Sequence, residues 1–162
     1  MQPRLDYGKV APKALQAMYA INNYSKHCGL EPSLLELVKI RASQLNRCAF
    51  CLDMHTKDAR AAGESEQRIY TLSAWHEAPF YTERERAALA LTEAVTLIAD
   101  GPVSDEIYEQ ARQHFTDEEL VNLTMNIVTI NGWNRLSVTF RAMPGTYQPQ
   151  RSVEQSVVNE NR

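Results

Sequence analysis

The sequence is short of the residues that break helices. Six glycines and seven prolines make up about 8% of its 162 residues, against roughly 12% in average proteins. With Ala, Leu, Glu and Gln plentiful, that scarcity argues for helix and against a strand-and-turn architecture. Long apolar runs are also missing. The longest uncharged stretch, Leu120 to Asn134, is shorter than the roughly 20 residues of a membrane span and holds four Asn and two Thr. No membrane-spanning helix is expected. Residues 1–15 lack the apolar run of a secretory signal, so a cytoplasmic location is expected. Charge of one sign is not in excess: 17 Lys and Arg stand against 20 Asp and Glu, a net −3. Such a balance leaves no electrostatic footprint for nucleic acid or an anionic membrane.

Cysteine is scarce and odd in number, which excludes a disulfide framework. Two of the three sit as Cys48-Ala-Phe-Cys51. In a chain with no signal these read as reduced thiols with redox or metal chemistry. The length suits one domain able to bury its own core. The expected division is a helical domain over 1–143 and a polar tail or arm over 144–162, where no periodicity survives Pro144-Gly145.

Helix signals fill the remainder. Leu15, Met18, Tyr19 and Asn22 suit a helix from Pro12 to about Lys26, ended by Gly29. Pro32 starts a second, running to about Asn46. A third begins near Cys48 and stops at Gly63. Ser65 to Trp75 is a shorter fourth, broken by Ala78-Pro79. Thr82-Glu83-Arg84-Glu85 is a capping box opening a helix to Asp100. Ser104 starts another, to about Phe115. Thr116 to Glu119 is a second capping box, leading into a long apolar helix to about Ala142, which Gly132 bends or divides. No segment alternates with period two. The fold class expected is all-α.

The chemistry concentrates between Glu36 and His55. At about 100° per residue, Cys48, Cys51, His55, Ala59 and Ala62 share one face of the third helix, while Asp53, Lys57 and Arg60 point away. Cys48 in the first turn has unpaired N–H groups and the helix dipole to favour a thiolate. His55 follows Cys51 by four residues, the spacing at which helical side chains meet, and is a general-base candidate. These two arguments favour different thiols as the nucleophile, and the placed base favours Cys51. Glu36 lies about 18 Å from Cys48 on one continuous helix, but a chain reversal at Asn46-Arg47 brings it within an axial offset of about 4 to 5 Å of His55. There its carboxylate can orient the imidazole.

Blander readings compete. The thiols with His55 and either Glu36 or Cys28 could make a zinc site, but no second ligand pair of the usual spacing exists. Alternatively the three residues are core filler. A thioredoxin-type motif needs a preceding strand, which is missing. His27 reads as a partner for its helix C-terminus, His76 as a surface group and His114 as a cap. The run from Glu83 to Arg86 reads as a solvated charged face, and Ile127, Ile130, Trp133 and Phe140 as core or interface residues.

The spacing of Glu36, Cys48, Cys51, His55 and Gly63 resembles the alkylhydroperoxidase D-like core of the carboxymuconolactone decarboxylase family. The segments Arg84 to Val95, Asn131 to Leu136 and Phe140 to Gly145 resemble it as well, so the likeness runs over roughly 12–145. The resemblance implies an alkylhydroperoxidase D-like helical bundle, with the C-x-x-C motif on an antiparallel helix pair, assembled as a homo-oligomer (trimer or hexamer). It also implies thiol-dependent reduction of organic hydroperoxides with no bound cofactor or metal. In that reaction Cys51 is the attacking thiol, served by His55 and Glu36, and Cys48 resolves the sulfenic acid as a disulfide. A dithiol donor, lipoyl-bearing or thioredoxin-like, resets the pair. The residue before the second cysteine, a His in the alkylhydroperoxidase D branch, is Phe50 here. Decarboxylase members lack the cysteine pair. The alternatives are a redox sensor or disulfide-exchange module, and a decarboxylase-like enzyme in which the cysteines are incidental.

Overall fold

The computed structural model describes residues 2–149, and among these there are helices and no strand. A one-turn helix α1 (Tyr7–Val10) leads into α2 (Pro12–Lys26), then α3 (Pro32–Leu45), α4 (Ala49–Ala61) and α5 (Glu66–Thr71). After a 3-10 turn at Leu72–Ala74 come α6 (Glu83–Thr96), α7 (Asp105–Arg112) and α8 (Asp117–Phe140). Proline opens both α2 and α3, where its missing N–H costs no hydrogen bond. Both expected capping boxes form, at Thr82 with Glu85 and at Thr116 with Glu119.

Helix α1 is held by the Asp6 side chain accepting from the Lys9 N–H. Three expectations need correcting. Helix α6 ends at Thr96, ahead of Asp100, because the Asp100 N–H turns back onto the Leu97 carbonyl. Helix α7 ends at Arg112, so His114 lies beyond it and offers its carbonyl to Arg84. Gly132 does not divide α8. A Cβ there would stand 2.9 Å from Met18 Cε, so this glycine lets α2 and α8 approach closely.

Helix α3 is the axis of the fold. Leu37, Val38 and Ile40 are completely enclosed, and α3 packs against α4, α6 and α8. One side of it joins Leu91, Phe115, Leu123 and Ile127 in a core shared with α6, α7 and α8. The other side joins Ala59, Ile69, Leu72, Trp75 and Leu89. A small third cluster holds Ala42, Cys48, Cys51 and Ile130, with Phe50 and Trp133 packed at its edge.

The reversal between α3 and α4 positions the site. Arg47 takes a left-handed conformation (φ 55°), and the Cys48 N–H returns to the Ser43 carbonyl at 3.0 Å. This is the hydrogen-bond pattern that closes a helix at a left-handed residue. The Asn46 side-chain amide nitrogen pins the turn, lying 3.0 Å from the Ala42 backbone carbonyl and 2.9 Å from Oδ1 of both Asn131 and Asn134. The run from Glu83 to Arg86 is also more enclosed than a solvated face. Arg84 pairs with Glu31 and Glu119, Glu85 with Arg68, and Arg86 reaches the carbonyls of Trp75, His76 and Ala78. The sequence alone hides these pairs because their partners lie up to 53 positions away.

Of the expected tail, 150–162 lie outside the described residues. Residues 144–149 lie against α4: the Gly145 N–H donates to Asp53 Oδ2 (2.9 Å), Lys57 Nζ to the Tyr147 carbonyl (3.0 Å), and the Tyr147 hydroxyl to Asp58 Oδ1 (2.6 Å).

Candidate active site

The antiparallel pair brings Glu36 to His55. His55 Nδ1 lies 2.8 Å from Glu36 Oε2, and the other carboxylate oxygen takes a 2.7 Å hydrogen bond from Lys39 Nζ. All three side chains are mostly enclosed. Burial pushes the Glu36 carboxyl up, but the hydrogen bonds and positive charge of His55 and Lys39 outweigh it and hold its pKa down to about 2. The carboxylate is therefore ionised at neutral pH and fixes the ring orientation.

Cys48, Cys51, His55 and Ala59 are buried along α4, as the shared face predicts, while Ala62 is exposed. Cys48 is the N-cap of α4 and not a first-turn residue. Its sulfur makes no capping hydrogen bond. The nearby Cys51 thiol and N–H, with the Asn134 amide and the Ser137 hydroxyl, favour its thiolate against the opposing effect of burial and hold its pKa below the usual cysteine range. Cys51 moves the other way: its proton is held by Cys48, and burial and the neighbouring charge raise its pKa further. The two thiols titrate as a coupled pair, in which the first proton is lost more readily than from an isolated cysteine and the second less readily.

Both thiols are 1% exposed. Their apolar walls are Ala42 and Ile130, with Phe50 and Trp133 outside, while Asn134 and Ser137 approach from α8. No hydrogen bond joins His55 to either thiol among the described residues. Cys51 Sγ lies 3.8 Å from Ser137 Oγ. The Asn134 amide donates to Ser43 Oγ (3.0 Å), which orients it beside the cysteines.

The structure joins Glu36 to His55 and buries Cys48 and Cys51 on the same face of α4, and sequence reasoning missed the residues that surround them. Lys39 could have been found from its i, i+3 spacing to Glu36. Asn134 and Ser137 had no such signal, because α8 reaches the thiols only through tertiary packing. The possible zinc set does not assemble. The atoms that converge, within 4.8 Å of one another, belong to Glu36, His55 and Asp58 and include no thiol. Both carboxylates already have protein donors, Lys39 on Glu36 and Tyr147 on Asp58. Cys28 lies apart, its thiol donating to the Ser25 carbonyl (3.2 Å). His27 caps α2 as expected, with Nδ1 2.8 Å from the Asn23 carbonyl, and His76 is exposed and stacked on Trp75.

An all-helical bundle with a dithiol at the head of one helix, and a Glu–His pair tying that helix to its neighbour, defines a recognisable class. The chain belongs to the carboxymuconolactone decarboxylase family, whose model matches residues 12–94. It is 47% identical over 138 residues to the uncharacterized protein YdfG of Bacillus subtilis, which covers 85% of this chain and 94% of that one. Among solved structures it is similar to ATU0492 of Agrobacterium tumefaciens, of unknown function and named as a candidate antioxidant defence protein AhpD. That likeness has a TM-score of 0.88 and 46% identity over 90% of this chain and 100% of the other. An alkylhydroperoxidase AhpD core protein of Ralstonia eutropha shares the fold, with a TM-score of 0.74 and 20% identity over 86% and 74% of the two chains. Family and fold together indicate a peroxidase-related or decarboxylase-like protein. None of the described helices is long and apolar enough to cross a membrane.

Proposed function

We propose that this protein is a thiol-dependent peroxidase that reduces organic hydroperoxides through a Cys48/Cys51 dithiol–disulfide cycle. The observation that carries the reading is the 2.8 Å contact between His55 Nδ1 and Glu36 on the helix whose same face buries both thiols. A structural cysteine pair needs no such base, whereas a peroxidatic thiol needs its proton removed and later returned.

The cycle balances with groups present in the chain. Starting from the dithiol, Cys51 gives its proton to His55, which Glu36 orients, and its sulfur attacks the terminal oxygen of the hydroperoxide. The O–O bond breaks, Cys51 becomes a sulfenic acid, and the leaving alkoxide takes the His55 proton to become an alcohol. Cys48 then attacks Cys51 Sγ. The S–O bond breaks, and the hydroxide leaves as water with the Cys48 proton. The net change is two thiols and one hydroperoxide to a disulfide, an alcohol and water. An external dithiol, lipoyl-bearing or thioredoxin-like, restores the pair. The apolar wall of Ile130, Phe50 and Trp133 suits an organic hydroperoxide. We also infer a homo-oligomer, trimer or hexamer, in the cytoplasm, consistent with the family.

Steady-state consumption of cumene hydroperoxide with excess dithiothreitol tests the reading. Many turnovers, abolished by Cys51→Ser, are expected. A redox sensor stops after one equivalent, and a decarboxylase-like enzyme keeps its activity when both cysteines are replaced by serine.

A further inference from the structure

Asp58 and Tyr147 belong to none of the roles described so far, yet they meet at the Glu36–His55 pair. Asp58 follows His55 on α4 by three residues, and one of its carboxylate oxygens lies within 4.8 Å of both a His55 ring nitrogen and a Glu36 oxygen. Its Oδ1 takes the 2.6 Å hydrogen bond from the Tyr147 hydroxyl. Tyr147 is held here by the Lys57 bond to its own carbonyl and by the Gly145 bond to Asp53 two residues before it. Burial, the bond to Asp58 and the negative charges of Asp58 and Glu36 all raise the Tyr147 pKa, so the phenol remains a protonated donor.

Two carboxylates therefore face one imidazole, and each is partly neutralised by its own donor. Lys39 of α3 acts on Glu36, and Tyr147 of the C-terminal segment acts on Asp58. Cys51 lies one turn earlier on α4, and Glu64, which lines a hollow with Glu36, is paired with Arg68. Helix α8 meets α4 near the thiols with the neutral side chains Asn134 and Ser137.

We propose that Asp58 and Tyr147 are positioning residues that set the proton affinity of His55: Asp58 raises it, and the Tyr147 hydroxyl moderates Asp58. This deepens the peroxidase reading and rests on it for its purpose, since His55 is there the group that stores and returns a proton. The physical effect on the ring does not depend on turnover. The arrangement places the C-terminal segment, beyond the family-matched 12–94, in control of the relay.

The test is the titration of the His55 ring by NMR in the reduced protein, assigned with His55→Gln, while thiolate absorbance is followed separately. Asp58→Asn removes a negative charge near the imidazolium and is expected to lower the ring midpoint by about one pH unit. Tyr147→Phe keeps the ring, the Lys57 contact and the Gly145 contact but frees the Asp58 carboxylate. It is expected to raise the midpoint, by about 0.3 units. Opposite shifts support the proposal, because general loosening of the segment moves both variants the same way. Midpoints that stay at the wild-type value in both variants, or move in one direction together, overturn it. Peroxide turnover measured alongside separates the two levels. A wild type without Cys51-dependent turnover refutes the peroxidase reading, and the ring midpoints still decide the role of Asp58 and Tyr147.

Discussion

Replacing Glu36 with Gln removes the anion between His55 and Lys39 and leaves shape almost unchanged. In the structure the Glu36 side chain is 16% exposed and its Lys39 partner 9%, so solvent screens the pair little. The Glu36 pKa falls from 4.5 to about 2 on folding. Because the folded value lies below the unfolded one, its contribution is complete above about pH 4.5 and is lost as the pH falls towards 2. The shift corresponds to about 3 kcal/mol at neutral pH, the same order as breaking a buried ion pair from one side. Urea unfolding of the reduced wild type and Glu36→Gln should therefore differ by about 3 kcal/mol near pH 7 and by only about 1 kcal/mol near pH 3. A gap that does not shrink with acid, or that is absent at neutral pH, refutes the assignment of Glu36 as a buried, ionised anchor for the imidazole.

Thiol alkylation followed by peptide mapping should find Cys48 labelled with a pH midpoint below that of an ordinary cysteine. Cys51→Ala removes the strongest donor to that sulfur and should move the midpoint upward; an unchanged midpoint places the negative charge elsewhere. Arg47→Gly relieves a left-handed side-chain residue at the α3–α4 reversal and should stabilise the fold by about 1 kcal/mol in the same unfolding assay. Gly132→Ala should be nearly neutral, because the helix gains about 1 kcal/mol of propensity while the mobile end of Met18 gives way. Gly132→Leu should cost about 1 to 3 kcal/mol by forcing α2 from α8, and a tolerated leucine contradicts the close approach.

Much of this fold is legible from local signals. Pro12, Pro32 and the Thr82 and Thr116 capping boxes act within one turn of the residue that carries them, so they mark helix starts without tertiary information. The reversal at Asn46-Arg47 was the condition for Glu36 to reach His55, and their 2.8 Å contact meets it. The Cys48, Cys51, His55 and Ala59 face followed from helical period alone. What stayed hidden depends on long-range packing. Asn134 and Ser137 reach the thiols from α8, and Tyr147 reaches Asp58 across 89 positions. A polar segment after Pro144 has the composition of a tail, and only its hydrogen bonds to Asp53, Lys57 and Asp58 show that 144–149 pack on α4. The balance between the two thiols was equally out of reach, since it is decided by donors that these neighbours supply.

On the proposed cycle Cys48 and Cys51 form one peroxidatic unit. Its test is titration of free thiols in the reduced protein before and after limiting cumene hydroperoxide, with the alcohol product quantified. Two thiols should be lost for each alcohol formed, with Cys28 untouched and the reaction abolished by Cys51→Ser. Thiols that survive the peroxide, or alcohol that still forms in Cys51→Ser, contradict it.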